Sequence, residues 1–342
     1  PYFAFLFNCL SYSSQSLFFT SSLYGVLANT DLTHREGHGA KELFDFTEFE
    51  KQYIIIYPNN KLPSYEFLTW FIGFVEGDGS FIIRNRNDFQ FVITQSSQDL
   101  LVLEYIYKNL GLGKIIKQGK RTHRLIVQDI NSIYLIILLF NGNIVLPSRK
   151  RNFKKFIDHF NLKINLVRSM PAPQGGMPAP QVGRKIKYSY VKPMDYDLLP
   201  STNNSWIAGF TDAEGCFTVS FLSVCAEGAE PSNAFRLRYI VSQKGDINLP
   251  ILSHFILLFK AGKIEAHSIK SNYSYILSGE KNCYNIYDYF ENFPLKSKKF
   301  NSFKLWKEIH LSITNKQHFN VEMRKELVEK AKTINRTNRK SK

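Results

Sequence analysis

The chain lacks several features that mark other protein classes. No stretch offers the roughly 20 nearly uninterrupted apolar residues of a membrane-spanning helix, because Asn, Ser and Gln interrupt the apolar run at residues 1–29. That run contains no Lys or Arg, so it has neither the basic start of a signal peptide nor the Arg-rich pattern of a transit peptide. The cysteines are few and scattered, which excludes a disulfide framework and a zinc-finger spacing. No glycine-rich phosphate loop or Ser/His/Asp signature stands out.

Acidic residues are outnumbered by basic ones. The 29 Asp and Glu residues stand against 44 Lys and Arg, which leaves a formal net charge of +15. Such a charge favours a polyanionic partner, either nucleic acid or an anionic membrane surface. The 342 residues suffice for two modest domains or one duplicated domain. The chain begins with Pro and is rich in residues with A/T-rich codons, so we expect a fragment, a processed product or an in-frame fusion from an A/T-rich genome such as an organelle's.

One segment occurs twice. The sequence WFIGFVEGDGSF at residues 70–81 recurs as WIAGFTDAEGCF at residues 206–217. After each copy come two strand-like runs, a helix-like run, a hairpin that opens with Gly-Lys-Ile, a short apolar helix and a basic closing helix. The pattern therefore predicts an α+β protein built from two αββαββαα repeats.

The remaining segments divide the chain. We expect an N-terminal leader or exon-derived extension at 1–62, the first repeat at 63–165, a Pro- and Gly-containing linker at 166–203, the second repeat at 204–315 and a basic C-terminal helix and tail at 316–342.

Small residues mark one face of each repeated helix. Gly73 and Gly77 are four residues apart, as are Gly209 and Ala213, so each pair lies on one helix face. A glycine inside a helix costs about 1 kcal/mol relative to alanine. Close approach of two helix backbones compensates for that cost. The spacing predicts that the two helices pack against each other as a central pair.

An acidic residue ends each of these helices. Asp78 and Glu214 precede Gly79 and Gly215, which suit a left-handed C-cap. A carboxylate at a helix C-terminus is disfavoured by about 0.3–1 kcal/mol, and two neighbouring carboxylates repel each other. Binding of divalent cations would compensate for both costs, and Mg²⁺ prefers oxygen ligands shared with phosphates. The alternative is that both acids are solvated ends of a helix hairpin.

The two segments resemble the LAGLIDADG motif of homing endonucleases. The resemblance covers residues 63–315 and implies two α/β units that meet at the motif helices, with their antiparallel sheets forming a DNA-binding saddle. It implies that the eighth motif residue, Asp78 or Glu214, binds the metal and is required for cleavage. The seventh residue, Gly77 or Ala213, would offer a backbone carbonyl to the metal, and the sixth, Glu76 or Asp212, is more often structural.

The resemblance also implies supporting residues. Gln95 and Gln243 would hold water near the metals, and their alternative is a role as exposed polar groups at strand ends. Arg149 and Lys298 are the basic residues expected near the scissile phosphates, with Lys150 and Lys299 next to them as the alternative register. Arg149 would act electrostatically, because an arginine does not exchange protons near neutral pH.

Polar residues on the predicted strands are candidates for DNA contact. Alternation along a strand places one face on the helices and the other on DNA. Arg and Gln read guanine and adenine edges, and other basic residues bind phosphates; the alternative is a solvated charged face. The candidates are Arg84, Arg86, Gln90, Lys117, Arg121, His123, Ser220, Arg236, Arg238, Lys263, His267 and Lys270.

Three functions fit the resemblance. The first is a site-specific double-strand DNA endonuclease of intron homing that uses Mg²⁺, or Mn²⁺ or Ca²⁺, and acts as a monomer on a long non-palindromic site without a membrane partner. The others are an RNA-binding maturase, with its own intron RNA as partner, and a DNA-binding relative that does not cleave. The setting implied is an organellar intron, in a mitochondrion or alternatively a chloroplast, with translation continuing in frame from an upstream exon.

Overall fold

The computed structural model describes residues 44–84, 88–169, 188–222 and 234–335, with side chains up to residue 165 in the second range. In these ranges the first repeat comprises α1 (Thr47–Ile56), α2 (Tyr65–Asp78), β1 (Gly79–Arg84), β2 (Asp88–Ser96), α3 (Leu100–Leu110), β3 (Lys114–Gln118), β4 (Thr122–Val127), α4 (Ile130–Phe140) and α5 (Pro147–Ser169). The second comprises α6 (Trp206–Glu214), β5 (Gly215–Phe221), β6 (Phe235–Lys244), α7 (Leu249–Phe259), β7 (Lys263–Ala266), β8 (Asn272–Ser278), α8 (Glu280–Cys283), α9 (Tyr287–Asn292), α10 (Lys299–Thr314) and α11 (Val321–Thr333).

The predicted α+β architecture is confirmed. Each repeat contains a four-stranded antiparallel sheet, in the order β1-β2-β4-β3 and β5-β6-β8-β7. The short apolar helix expected in the second repeat is divided into α8, a 3₁₀ turn and α9. Arg86, the core of the predicted linker and the loop between β5 and β6 lie outside the described residues.

One face of each sheet forms a core with the helices. Residues in register across a sheet share a face, and side chains alternate along each strand. In the first repeat Phe81 packs against Phe91, Phe140, Phe153 and Phe156, with ring centroids 4.8–5.5 Å away. The second repeat repeats this cluster around Phe217, whose neighbours include Tyr239, Phe290, Phe303 and Trp306. The opposite face of each sheet carries exposed polar residues, among them Arg84, Ser220 and Arg236.

Helix α1 packs onto the first repeat. Its residues Phe49 and Tyr53 are buried, and the Tyr53 hydroxyl donates to the Leu110 carbonyl at 3.0 Å. The Tyr57 hydroxyl lies 2.7 Å from the Ser132 hydroxyl at the start of α4. The segment at 44–62, which was predicted to belong to the N-terminal extension, therefore contributes to the core of the first repeat.

The described end of the linker is also tied to the first repeat. Asn161 exchanges two hydrogen bonds with the backbone of Val191, at 2.7 and 2.9 Å. Asn141 accepts from the Met194 amide at 2.8 Å and donates to the Lys192 carbonyl at 3.0 Å. Two asparagine side chains thus satisfy the backbone of a segment that forms no helix or strand.

The C-terminal helix α11 covers strand β5. The predicted helix from Lys316 begins instead at Val321, because the Asn320 side chain accepts from the amides of Glu322 and Met323 as an N-cap. The Arg324 guanidinium lies 5.1 Å from the Phe221 ring centroid, and Asn335 donates to the Phe217 carbonyl at 2.5 Å. Among the helices in the described ranges, none combines the length and hydrophobicity that a bilayer crossing demands.

The two repeats meet through α2 and α6. A Cβ on Gly73 would overlap the Trp206 carbonyl oxygen, and a Cβ on Gly209 would overlap the Trp70 carbonyl oxygen. Backbone atoms cannot move aside as a flexible side chain can, so glycine is required at both positions. The predicted close pairing of the motif helices is confirmed.

Candidate active site

The two motif acids lie where the central helices end. Helix α2 ends at Asp78 and α6 ends at Glu214, and after each helix the backbone enters a strand directly. The expected left-handed C-caps are wrong: Gly79 has φ −85° and Gly215 φ −77°, both extended. Glycine is needed here for space, because a Cβ on Gly79 would lie 2.8 Å from the Val75 carbonyl oxygen. The direct entry into the strands holds both acids at the same end of the helix pair.

The two carboxylates are neighbours. The charge on Asp78 contributes to raising the pKa of Glu214, and a Cβ on Gly77 would lie 3.5 Å from Glu214 Oε1. Gln95 Nε2 donates to Asp78 Oδ2 at 2.6 Å, and the Gln243 side chain hydrogen-bonds Glu214. Each acid therefore has an amide partner from the second strand of its own repeat.

Burial dominates the electrostatics of the acid pair. It raises the pKa of Asp78, opposed by the hydrogen bond from Gln95 and the charge of Lys299. Burial also raises the pKa of Glu214, and the neighbouring Asp78 charge adds to the effect. Two partly buried carboxylates that repel each other favour binding of a cation or a proton.

One basic residue from each repeat braces these helix ends. The Arg149 guanidinium donates to the Gly77 carbonyl at 2.5 Å, to the Glu76 carbonyl at 2.6 Å and to the Gly79 carbonyl at 3.3 Å. In the second repeat Lys299 Nζ donates to the Ala213 carbonyl at 2.7 Å and to the Thr211 carbonyl at 3.1 Å.

Lys299 is nearly buried, and burial lowers the pKa of its ammonium. The charges of Asp212, Asp78 and Glu214 oppose that shift by favouring the charged form. The Lys299 amine therefore lies close enough to Asp78 and Glu214 to interact with both charges, on the side of the second repeat.

Lys298, the residue chosen from the sequence, points elsewhere. Its Nζ lies 2.6 Å from Asp99 Oδ2, and Lys299 takes the place equivalent to Arg149. The prediction paired Arg149 with Lys298, but the buried aromatic residues of the two closing helices align differently. Phe153 and Phe303 occupy equivalent places against the sheets, which pairs Arg149 with Lys299. The spacing of these core residues was the signal that could have identified Lys299.

The sixth motif residues are buried anchors. Glu76 accepts from the amides of Val145 and Leu146, at 2.9 and 2.5 Å, and from Trp206 Nε1 at 3.0 Å. Burial raises the pKa of Glu76 to about 7, against the effect of these hydrogen bonds.

Asp212 is bound in the same way. It accepts from the amides of Lys296 and Ser297, from the Ser297 hydroxyl, and from Trp70 Nε1 at 2.9 Å. Burial raises its pKa. Each acid joins the start of its own closing helix to a tryptophan of the other repeat.

The oxygen-rich end of the helix pair has the donor set of a hard cation. The carboxylates of Asp78 and Glu214 and the carbonyls of Gly77 and Ala213 are all oxygen donors, although both carbonyls also accept from Arg149 and Lys299. A carbonyl oxygen has two lone pairs and can accept a second partner. Within the part of the chain that the structure describes, no three His, Cys, Asp or Glu side chains cluster as a metal site. Further ligands would have to come from water or from phosphates.

The surface-facing side of the sheets carries half of the predicted DNA contacts. By register Arg84 and Gln90 share this face of the first sheet. Ser220, Arg236 and Arg238 share the equivalent face of the second sheet, together with Lys263. Arg238 Nε and its cross-strand neighbour Thr218 Oγ1 are buried and have no hydrogen-bond partner among the described residues. Gln90 differs from the expectation, because it is only 4% exposed.

The other candidates lie at the sheet ends. By register, Lys117 and His123 lie on the same side of the sheet as the core residues, but past the end of the core. His123 Nδ1 lies 3.2 Å from the Ser97 hydroxyl. Arg121 and Lys270 are exposed in the turns between strands. His267 is exposed and its Nε2 lies 2.6 Å from the Ser274 hydroxyl. These five residues lie outside the strand positions that form the surface-facing side of the sheets.

The sequence matches a known family twice. The model of the LAGLIDADG endonuclease family matches residues 71–160 and 207–310, which contain both copies of the motif and both sheets.

Individual proteins support this match. A probable intron-encoded endonuclease 4 of Neurospora crassa is 36% identical over 74% of this chain, and the match spans 41% of its own length. An uncharacterized cox1 intron-2 protein of Schizosaccharomyces pombe is 24% identical, over 74% of this chain and 68% of its own. The crystal structure of the I-SmaMI LAGLIDADG homing endonuclease bound to cleaved DNA is similar in fold, with a TM-score of 0.60, 18% identity and coverage of 81% of this chain and 99% of that one. I-SmaMI has also been solved with an uncleaved DNA target in the presence of calcium ions.

Proposed function

Because the chain belongs to the LAGLIDADG endonuclease family, we propose that it is a homing endonuclease that hydrolyses both strands of one long, non-palindromic DNA site. The observation that carries the proposal is the pair of adjacent carboxylates, one at the end of each central helix, each with a glutamine and a basic residue beside it. A pair of matched half-sites suits two phosphodiester bonds on opposite strands. The differences between the repeats suit a site without internal symmetry.

Asp78 and Glu214 would hold divalent cations, with Mg²⁺ as the proposed ion and Mn²⁺ or Ca²⁺ as substitutes. Bound there, the cations would supply Lewis-acid stabilisation of the attacking and leaving oxygens of the phosphodiester. Because burial raises the pKa of both acids, protons compete with the cation for this site as the pH falls. The carbonyls of Gly77 and Ala213 complete the protein side of the site.

The remaining polar groups would position the reactants. Gln95 fixes the rotamer of Asp78 and leaves its amide oxygen free to orient a water molecule. Arg149 and Lys299 hold the carbonyls at the helix ends in place and compensate for the negative charge that accumulates near the scissile phosphates. We therefore assign the basic role in the second repeat to Lys299 instead of Lys298.

The surface-facing side of the two sheets would bind the duplex. Arg236 and Arg238 would read base edges or phosphates in one half-site, and Arg84 would do so in the other. The net charge of +15 strengthens binding to any DNA and makes it depend on salt. Because one chain contains both half-sites, the active form is proposed to be a monomer. The cox1 intron relative points to a mitochondrial setting.

The test is cleavage of a plasmid that carries the two exon sequences flanking the intron that encodes this chain, joined without the intron. The wild-type protein with Mg²⁺ should convert the plasmid to linear DNA, and EDTA should prevent it. Asp78→Asn and Glu214→Gln should each lower double-strand cleavage by more than about 10³-fold, while the Kd for DNA stays within about threefold. Undiminished cleavage by either variant, or cleavage in EDTA, would contradict the proposal.

A further inference from the structure

Each closing helix begins against a residue of the other repeat. Asp99 is the last residue of the 3₁₀ turn Ser97–Asp99, between β2 and α3 of the first repeat. Asn248 has the same place in the turn Asp246–Asn248 of the second repeat. Both side chains are buried, with exposures of 7% and 1%. A buried polar side chain is stable only when it is hydrogen-bonded, so their partners are informative.

The partners of Asn248 lie in the first repeat. Its Oδ1 accepts from the Ser148 amide at 3.2 Å and its Nδ2 donates to the Ser148 hydroxyl at 2.8 Å. The same Nδ2 donates to the Lys244 carbonyl at 2.9 Å, which anchors it to its own repeat. Ser148 directly precedes Arg149, so Asn248 holds the backbone that carries that guanidinium.

The partners of Asp99 lie in the second repeat. Its Oδ1 accepts from the Lys298 amide at 3.4 Å and its Oδ2 binds Lys298 Nζ at 2.6 Å. The Ser96 hydroxyl donates to the same carboxylate at 3.2 Å and anchors it to the first repeat. Lys298 directly precedes Lys299, so this crossing is the counterpart of the one made by Asn248. Burial raises the pKa of Asp78, and the charge of Asp99 adds to that shift.

We propose that Asp99 and Asn248 are positioning residues that act across the repeat boundary, so that each repeat sets the basic residue of the other repeat's half-site. Asp99 of the first repeat positions Lys299, and Asn248 of the second repeat positions Arg149. Neither repeat can therefore complete its own half-site alone, and the coupling makes cleavage of each strand depend on both halves. The expected effect on cleavage rests on the proposed endonuclease function. The expected effect on the positions of Lys299 and Arg149 rests on the contacts alone.

The kinetic test follows the two strands separately. A duplex containing the cleavage site mapped with the wild-type chain is labelled on either strand, and Asp99→Ala, Asn248→Ala, Lys299→Ala and Arg149→Ala are compared. Asp99→Ala should slow the same strand as Lys299→Ala by about 10- to 100-fold, since misplacement by an ångström has effects of this size. Asn248→Ala should slow the other strand, together with Arg149→Ala, and nicked plasmid should accumulate with both variants.

Two controls separate positioning from loss of stability. Asp158→Ala removes an aspartate that pairs with Lys154 at 2.9 Å within α5 and crosses no repeat boundary, so both strand rates should be unchanged. Asp99→Asn keeps an oxygen for the Lys298 amide and should restore much of the strand rate that Asp99→Ala loses. Equal slowing of both strands by Asp99→Ala and by Asn248→Ala would overturn the proposal, because general destabilisation has no strand preference.

A structural measurement decides the matter without cleavage. In a crystal structure of Asp99→Ala, the Lys299 Nζ to Ala213 carbonyl contact, now 2.7 Å, should lengthen or break while the Arg149 contacts persist. Asn248→Ala should show the reverse. If all of these contacts persist in both variants, the proposal fails even where the wild-type chain cuts DNA. If the contacts respond as expected but the wild-type chain cuts no DNA, the proposed function alone fails.

Discussion

The two repeats build the same half-site from different residues. In the first repeat a guanidinium braces three carbonyls, whereas in the second an ammonium braces two. The first closing helix starts against a neutral amide, Asn248, and the second against a carboxylate, Asp99. The comparison shows that the fold determines where a donor or acceptor must be, while several residue types can supply it. Matched substitutions in the two repeats measure how far the two halves are equivalent.

The largest expected effect comes from breaking the contact between the halves. Gly73→Leu or Gly209→Leu forces a side chain into the opposite helix backbone, so each should lower the free energy of unfolding by about 3 kcal/mol, the upper end of the usual cost of overpacking. Thermal unfolding should show a decrease in Tm of roughly 6 °C or more. Gly119→Ala is the control, since no atom lies within 4 Å and only its φ of +69° opposes a side chain. An unchanged Tm for both leucine variants would mean that the helices do not pack closely.

The buried acids at the sixth motif position, Glu76 and Asp212, should make the free energy of unfolding depend on pH in both halves. Burial raises the pKa of Glu76 to about 7, so the folded state binds a proton more tightly than the unfolded state does. The stability from that proton is present below the ordinary carboxylate range and is lost as the pH rises through about 7.

Urea unfolding should measure this loss. Between about pH 5 and about pH 8 the wild-type chain should lose on the order of 2–3 kcal/mol more than Glu76→Gln does. Asp212→Asn should remove a dependence of the same sign, because burial raises that pKa too. Identical pH profiles for the wild-type chain and the Glu76→Gln variant would contradict the assignment.

Trp70 and Trp206, each of which donates to an acid of the other repeat, should contribute unequally to stability. Trp206→Phe leaves Glu76 with two backbone donors, whereas Trp70→Phe leaves Asp212 with three donors. Both substitutions remove one buried hydrogen bond, but the under-satisfied carboxylate costs more. We expect Trp206→Phe to be the more destabilising by about 1 kcal/mol in equilibrium unfolding. The opposite order would show that packing of the indole outweighs its hydrogen bond.

The last comparison concerns DNA binding by the surface-facing side of the two sheets. Arg238 and Gln90 occupy equivalent places, opposite Thr218 and Ile82 on the neighbouring strands. Arg238→Ala should raise the Kd for the target DNA about tenfold at fixed salt, because a guanidinium contact is worth about 1–3 kcal/mol. Gln90→Ala should change the Kd less, since the free protein exposes only 4% of that residue. Equal effects would mean that DNA binding uncovers Gln90.

Sequence reasoning reached the parts that depend on local pattern. The repeated motif predicted the central helix pair, and the period of apolar residues predicted the strands that follow each copy. It chose Lys298 over Lys299 because a single-residue shift in a helix start leaves no mark on composition or charge. The segment at 44–62 was predicted to lie outside the first repeat. Its helix packs through Phe49 and Tyr53, and the sequence of a helix does not identify the surface against which it packs.

The order of residues by itself determined two α+β units, a glycine-mediated helix pair and an acid at the end of each helix. These features follow from backbone sterics and from periods of a few residues, which act within one segment. Only the tertiary structure decided that Asp99 meets Lys298 across 199 positions of sequence, and that Asn248 meets Ser148 across 100 positions. Such contacts arise where separate elements pack, and the direction of a buried side chain is set by every element around it.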